Sequence, residues 1–148
     1  MTDLSVGMRS EAQPRIVVGV DGSETSVRAV QEAVRLAAEL GGVVEAVAAW
    51  EPPTKGSSYE ALGIGSFAEG ARHVLDGALA EAFGESLPAL LSSRVERGSA
   101  ATVLVAASEG ARYVVVGRRG RGGVMGLLLG SAGAAVLNQA HCPVMVVR

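Results

Sequence analysis

The residues best suited to bind an anion lie near the C-terminus, where the tetrapeptide Gly-Arg-Arg-Gly at 117–120 is followed, after nine residues, by Gly130-Ser131. Glycines let a backbone bend and approach a ligand where a Cβ would collide. A helix beginning at Ser131 would add unsatisfied N–H groups and the positive end of its dipole. Because an apolar run at 113–116 precedes this segment, the pattern predicts a phosphate-binding loop between a strand and a helix.

The segments that must position this loop alternate between strand and helix patterns. The β-branched run 15–20 is followed by a helical pattern that Ser23 or its neighbour caps and Gly41-Gly42 ends, and the apolar strand 43–50 comes next. Further strands are predicted at 92–96, 113–116 and 144–147, and further helices at 67–83, 99–109 and 131–140. The alternation predicts an α/β fold with a single doubly wound sheet of five parallel strands and helices on both faces.

Two segments are predicted to lie outside regular structure. Residues 1–14 are polar and mixed and are expected to form a disordered leader, so that 15–148 is one domain. Residues 51–66 are rich in Pro, Gly and Ser and are expected to form a loop long enough to act as a lid.

Composition limits the classes of partner. The chain has 148 residues, a formal net charge of -2 and a single cysteine, Cys142. This charge does not indicate attraction to nucleic acid or to an anionic membrane, and one cysteine excludes an intrachain disulfide. No apolar stretch approaches the roughly 20 residues of a membrane span. The sequence therefore predicts a soluble, cytoplasmic protein without nucleic-acid or membrane partners.

The residue types that usually carry catalysis or bind metals are few and scattered. His73, His141 and Cys142 have no partner at catalytic or zinc-ligand spacing. The sequence therefore predicts a binding protein rather than an enzyme, with at most slow, incidental hydrolysis of a phosphate-containing ligand.

Ligands of doubly wound sheets lie beyond the carboxyl ends of the strands, where the strand order reverses. Three positions meet this condition: Asp21, the pair Ala49-Trp50, and Gly117. If strands one and four are neighbours, Asp21 and Gly117 lie on opposite sides of one crevice, with Ala49-Trp50 at the far wall. This arrangement suits a nucleotide.

Three segments together resemble the universal stress protein family. They are Val-Gly-Val-Asp21-Gly-Ser, the pattern Gly-x2-Gly-x9-Gly-Ser from Gly117 to Ser131, and the ending His141-Cys-Pro-Val-Met-Val-Val. The likeness covers about residues 15–148, and the long glycine pattern is typical of the ATP-binding branch. It implies a strand order of 3-2-1-4-5, an ATP-binding regulatory role in the stress response, and a homodimer paired through Val144 to Val147.

The resemblance also implies roles for individual residues. Asp21 would accept hydrogen bonds from the ribose hydroxyls, Ala49 would offer backbone groups to adenine, and Gly117 would lie against the ribose. Arg119 would be the charged phosphate contact. The backbone amides offered to the phosphates would come from the loop and helix residues Gly120, Gly130, Ser131 and Ala132, and the Ser131 hydroxyl would be a further donor or a Mg²⁺ ligand.

One position departs from the family pattern. Many relatives carry a hydroxyl two residues after the serine of Gly-Ser, whereas this chain has Gly133. The missing donor leaves open whether ATP, ADP or AMP is preferred. Two other functions also stay open: a nucleotide-dependent enzyme of the ATP pyrophosphatase type, and a dimerisation module with a vestigial pocket.

Overall fold

The computed structural model describes residues 13–52, 57–118 and 130–148, with the backbone alone at 57–66. Strands and helices alternate along it. The strands are β1 (Arg15–Gly19), β2 (Val43–Trp50), β3 (Leu91–Arg97), β4 (Tyr113–Gly117) and β5 (Val144–Val147). The helices are α1 (Glu24–Leu40), α2 (Ser57–Phe83), α3 (Ala100–Ala107) and α4 (Ser131–Gln139). The leader predicted at 1–14 lies outside the described residues up to residue 12.

The five strands form one parallel sheet in the order β3-β2-β1-β4-β5. This confirms both the doubly wound α/β fold and the predicted strand order. The central strand β1 pairs on one side with β2, where Val17 faces Glu45, and on the other with β4, where Val17 faces Val114. The chain therefore reverses its direction of winding between β1 and β4, at the middle of the sheet.

Helices cover both faces of the sheet, which explains why β1 reads as a continuous apolar run. Successive side chains of a strand point to opposite faces, so Ile16 and Val18 pack toward α1 and α2 while Val17 packs toward α3 and α4. The second face is completed by the buried residues Val47, Val103, Leu104, Ala107, Val114, Val116 and Val136.

Serine side chains cap the first turns of two of the helices. The Ser26 N–H donates to the Ser23 hydroxyl at the start of α1, 3.2 Å away. The Thr102 N–H donates in the same way to Ser99 before α3, at 3.1 Å. Each bond satisfies a backbone donor that the helix itself leaves open. Gly41 ends α1 with φ of 69°, a left-handed conformation that favours glycine.

The prediction of a loop from residue 51 to 66 is wrong in its second half, because α2 already begins at Ser57. Serines and glycines at 57–66 indicated a loop, yet each interior glycine costs a helix only about 1 kcal/mol relative to alanine. That cost does not stop a long helix that packs against α1 and the sheet. None of the described helices is both long and apolar enough to cross a membrane.

The end of β4 packs closely against the first turn of α1. A Cβ built on Gly117 would lie 2.6 Å from the Thr25 Oγ1 and 2.9 Å from the Thr25 carbonyl carbon. The carbonyl carbon belongs to the helix backbone and cannot move aside by a side-chain rotation. Packing alone therefore requires glycine at position 117, whatever ligand lies nearby.

We expect Gly117→Ala to lower the free energy of unfolding by roughly 1–3 kcal/mol, because the new methyl group overpacks the contact with α1. The matched control is Gly77→Ala in α2, where an added Cβ meets nothing within 4 Å. That change should raise the free energy of unfolding by about 0.5–1 kcal/mol through helix propensity. Urea denaturation of both variants without ligand tests the pair, and equal stability of Gly117→Ala and the parent would contradict the packing argument.

Candidate functional site

The central strand ends before both of its neighbours, and this opens a crevice at the carboxyl edge of the sheet. The last hydrogen bond between β1 and β2 joins the Val20 N–H to the Val47 carbonyl, at 2.9 Å. The register between β1 and β4 ends at Val18 opposite Val115. Because β2 continues to Trp50 and β4 to Gly117, the two neighbours form walls above the end of β1.

This crevice contains a cavity of about 260 Å³. Its volume is near the lower end of the range usual for small-molecule sites, about 300–1,000 Å³. Segments that are far apart in the sequence contribute to its described lining, which consists of Gly19, Val20, Asp21, Ser23, Ser26, Val47, Ala49, Ala100, Val103, Leu104, Val116, Gly117, Gly130, Ser131, Ala132 and Gly133.

The structure brings together six of the eight residues that the sequence nominates for nucleotide binding. Asp21, Ala49 and Gly117 line the cavity at the ends of three neighbouring strands. Gly130, Ser131 and Ala132 line it at the start of α4; the remaining two, Arg119 and Gly120, lie outside the described residues.

The turn after β1 holds the Asp21 carboxylate at the cavity. The Ser23 N–H donates to Asp21 Oδ1 at 2.9 Å, and Gly22 between them has φ of 85°. An aspartate that accepts a hydrogen bond two residues ahead of itself stabilises a tight turn, and the positive φ favours glycine at the next position. Asp21 is the only charged side chain in the described lining.

Ala49 presents its backbone to the crevice. In a parallel pair, alternate residues turn their N–H and C=O groups toward the same neighbouring strand. The Val47 carbonyl bonds to β1, whereas the Trp50 carbonyl accepts from the Gly98 N–H on the β3 side, at 2.8 Å. Ala49, two residues beyond Val47, therefore turns both groups toward the β1 side, beyond the last bond to that strand.

The start of α4 offers backbone donors to the same cavity. Gly130 is its N-cap and has no side chain to accept a hydrogen bond. The Gly130 N–H itself donates to the Arg118 carbonyl, 3.2 Å away. This bond occupies one of the amides that the family resemblance assigns to the phosphates, so the open donors of the first turn are the N–H groups of residues 131–133.

Of the helices whose starts the structure describes with their side chains, α1, α3 and α4, only α4 begins without a side-chain cap. Ser23 caps α1 and Ser99 caps α3, so serine oxygens already accept from their first-turn amides. Gly130 leaves the corresponding amides of α4 without a side-chain acceptor. Since the positive end of a helix dipole favours anions, α4 provides the best anion position among these three helices.

The inner half of the cavity is apolar and was not identified from the sequence. Val47 and Val116 lie on the strand walls, while Val103 and Leu104 come from the first turns of α3. Val47 precedes Ala49 by two residues, so the strand period of two would have placed it on the same face. The α3 residues carry no such signal, because their contribution depends on which part of the sheet α3 covers.

Trp50 does not line the cavity. Its ring lies 5.8 Å from the guanidinium carbon of Arg97 at the ends of β2 and β3. Of the pair that the sequence places at the far wall of the crevice, Ala49 therefore lines the cavity and Trp50 does not.

No group of three or more His, Cys, Asp or Glu side chains within the described parts of the chain could hold a metal ion. Cys142 lies just before β5, at the opposite edge of the sheet, and burial raises the pKa of its thiol. A raised pKa lowers the thiolate fraction at neutral pH, so this cysteine is not an activated nucleophile.

Comparisons with a family model and with individual relatives identify the same family. The model of the "Universal stress protein family" matches residues 14–148. A universal stress protein of Mycobacterium tuberculosis is 37% identical over 137 residues, which are 92% of this chain and 46% of that protein. One from Mycolicibacterium smegmatis is 32% identical over 151 residues, which are 95% of this chain and 50% of that protein. The chain thus spans about half the length of these curated relatives.

Solved structures show the same architecture. Universal stress protein UspA from Lactobacillus plantarum superposes with a TM-score of 0.76 at 20% identity, over 93% of this chain and 100% of that one. A universal stress protein in complex with cAMP superposes with a TM-score of 0.60 at 26% identity, over 93% of this chain and 98% of that one. With the family match and the shared strand order, these likenesses establish that the chain belongs to the universal stress protein family.

Proposed function

We propose that this protein binds an adenine nucleotide in the cavity beyond β1 and acts as a regulatory protein of the universal stress type. One observation carries the proposal: residues from the ends of β1, β2 and β4 and from the start of α4 line the same cavity. The solved family member with bound cAMP, at 26% identity, supports an adenine nucleotide as the ligand class.

The two ends of the cavity match the two ends of a nucleotide. The base would occupy the apolar half between Val47 and Val103, where the backbone N–H and C=O of Ala49 offer one donor and one acceptor. The ribose would lie above the end of β1, where the Asp21 carboxylate accepts from its hydroxyls and Gly117 allows close approach. A carboxylate in this position is a common partner of ribose hydroxyls in doubly wound folds.

The phosphates would lie at the start of α4. The N–H groups of Ser131, Ala132 and Gly133 converge there with the positive end of the helix dipole. The exposed Ser131 hydroxyl suits Mg²⁺, which keeps most of its waters and takes few protein ligands when it binds nucleotide phosphates. Bound Mg²⁺ would neutralise phosphate charge. Arg119 and Gly120 belong to the same proposed site through the loop sequence.

ATP is the proposed ligand, with ADP and AMP as the alternatives that Gly133 raises. A hydroxyl at position 133 would donate a hydrogen bond to the terminal phosphate of the nucleotide. Glycine offers only its backbone amide there. The affinity for ATP therefore exceeds the affinity for AMP by less than it would with serine or threonine at position 133.

Binding rather than turnover is the proposed activity. A general base must lie within hydrogen-bond reach of the proton that it removes. The described lining holds no histidine, cysteine or lysine, and its one carboxylate is already oriented by the Ser23 N–H toward the sugar position. ATP hydrolysis should consequently be slow and incidental.

The nucleotide would act through the loop at 119–129 or through a dimer. The bond from the Gly130 N–H to the Arg118 carbonyl joins the two ends of this loop, directly beside the proposed phosphate position. A phosphate at the start of α4 can therefore bias the loop, which offers partners a nucleotide-dependent surface.

The dimer would form through β5, the edge strand next to β4. Its sequence Val-Met-Val-Val is apolar, and Val146 is 38% exposed. Unpaired apolar edges invite association, and pairing two copies of β5 would cover both edges. The opposite edge strand, β3, instead carries charged side chains such as Arg94 and Glu96, which discourage pairing.

Nucleotide binding is tested by calorimetric titration of AMP, ADP and ATP, with and without MgCl2. We expect micromolar affinity for the parent chain. Asp21→Asn should weaken binding about tenfold, equivalent to about 1.4 kcal/mol, because asparagine keeps the carbonyl oxygen that accepts from Ser23 but loses the negative charge. Gly130→Ala should weaken it most, because φ of −67° suits alanine and the methyl group would occupy phosphate space.

The control for these titrations is Gly77→Ala, which adds the same methyl group on α2 and should leave every affinity unchanged. Absence of saturable heat with all three nucleotides would contradict the proposal and favour a vestigial pocket. Rapid multiple turnovers of labelled ATP would contradict the binding-only activity and favour an enzyme.

Dimerisation is tested by sedimentation velocity. We expect the parent to sediment as a dimer and Val146→Glu to sediment as a monomer, because paired edges would bring two carboxylates into an apolar contact. The control Leu87→Glu changes another exposed apolar residue, 49% accessible and far from β5 in the sequence, and should leave the dimer intact. A monomeric parent would exclude the β5 dimer.

A further inference from the structure

The floor of the cavity is formed by a close contact between the end of β1 and α3. A Cβ built on Gly19 would lie 2.7 Å from Leu104 Cδ1 and 3.4 Å from Leu104 Cδ2. The leucine side chain therefore rests directly on the α-carbon of Gly19. Both residues line the cavity, and Leu104 is only 6% exposed.

Backbone conformation does not explain the glycine at position 19. Gly19 is not among the described glycines with positive φ, and it is the last residue of a regular strand. On the same face of β1 the side chains become smaller toward the cavity, from Arg15 through Val17 to Gly19. The absence of a side chain at Gly19 thus leaves room for Leu104 to pack directly against the backbone of β1.

The contact lies in the half of the cavity that would hold the base. Helix α3 packs over β1 and β2, whereas the anion position belongs to α4 on the β4 side. Ala100, Val103 and Leu104 of α3 therefore face Val47 and Ala49 of β2 across the apolar half. Leu104 is the largest of these side chains, and its position depends on Gly19.

We propose that Leu104, seated on Gly19, sets the depth of the base-binding half and so determines which substituted adenines the site accepts. This inference rests on the proposed nucleotide function. A planar unsubstituted purine fits against the leucine methyl groups, and a base with an added group at that edge collides with them. Interiors are packed densely enough that one methyl group alters what fits.

Substitutions at Leu104 and at Gly19 are expected to have opposite effects on binding. Leu104→Ala removes three carbons from the floor and should admit a larger base. Gly19→Ala adds one carbon beneath the leucine, which must then rise into the cavity, and should weaken AMP binding at least fivefold. Combining both changes should restore AMP affinity to within twofold of Leu104→Ala, because the shortened side chain makes room for the new methyl group.

The experiment measures the Kd of the full chain for AMP and for three analogues, N6-benzyl-AMP, 2-chloro-AMP and 8-bromo-AMP, which enlarge three different edges of the base. In the parent we expect at least one analogue to bind tenfold more weakly than AMP. In Leu104→Ala that disadvantage should shrink at least fivefold. Circular dichroism establishes that each variant is folded, and Gly19→Ala with the double variant decides the outcome if Leu104→Ala alone does not fold.

The matched control is Leu79→Ala, which removes an equally buried leucine on the opposite face of the sheet. It should lower stability without changing any ratio of analogue Kd to AMP Kd. The inference is wrong if the ratios of analogue Kd to AMP Kd in Leu104→Ala stay within twofold of the parent values. It is also wrong if the double variant does not regain AMP affinity. In both cases AMP binding by the parent would still support the proposed function. If the parent binds none of the four compounds, the proposed function fails and the inference fails with it.

Discussion

The site depends on one constraint of the sheet: its central strand ends before the strands on either side. Val20 makes the last hydrogen bond from β1 to β2, while β2 and β4 run on to Trp50 and Gly117. Parallel strands with right-handed crossovers also bring helix starts to this edge. A short central strand therefore creates a cavity that has backbone groups on its walls and helix N-termini at its rim.

Small differences at the helix starts decide where an anion can lie. Ser23 and Ser99 satisfy first-turn amides of α1 and α3 with their own oxygens, and Gly130 provides no such oxygen to α4. A side-chain cap stabilises a helix by about 1 kcal/mol. The start of α4 forgoes that stabilisation in the apo protein, and a phosphate in the same position would supply the missing acceptor.

The sequence predicts most of the fold because its signals are local. The strands at 43–50 and 144–147 have the predicted bounds, and Ser23 and Ser99 cap the predicted helices. The start of α2 was missed because serines and glycines at 57–66 indicate a loop by local propensity, and tertiary packing overrides propensity.

The candidate site likewise contains residues that the sequence indicates and residues that it does not. Asp21, Ala49 and Gly117 were nominated because they lie at or just beyond the ends of strands, and the carboxyl ends of parallel strands meet at one edge. Leu104 was missed because its place depends on how α3 lies across the sheet. Gly117 shows the limit of such inference, since its contact with Thr25 gives a packing reason for a residue that the pattern assigned to a ligand.

Charge explains why the loop between β4 and α4 should matter to the ligand. The described lining holds one charged side chain, Asp21, and it is negative. This carboxylate repels an anionic phosphate at the start of α4, and the dipole of α4, worth typically about 0.3–1 kcal/mol, opposes that repulsion. Besides Mg²⁺, the nearest sources of compensating positive charge in the sequence are Arg118, Arg119 and Arg121. Each further phosphate on the proposed ligand would raise the requirement for positive charge, so the loop proposed to report occupancy would also influence the preference among AMP, ADP and ATP.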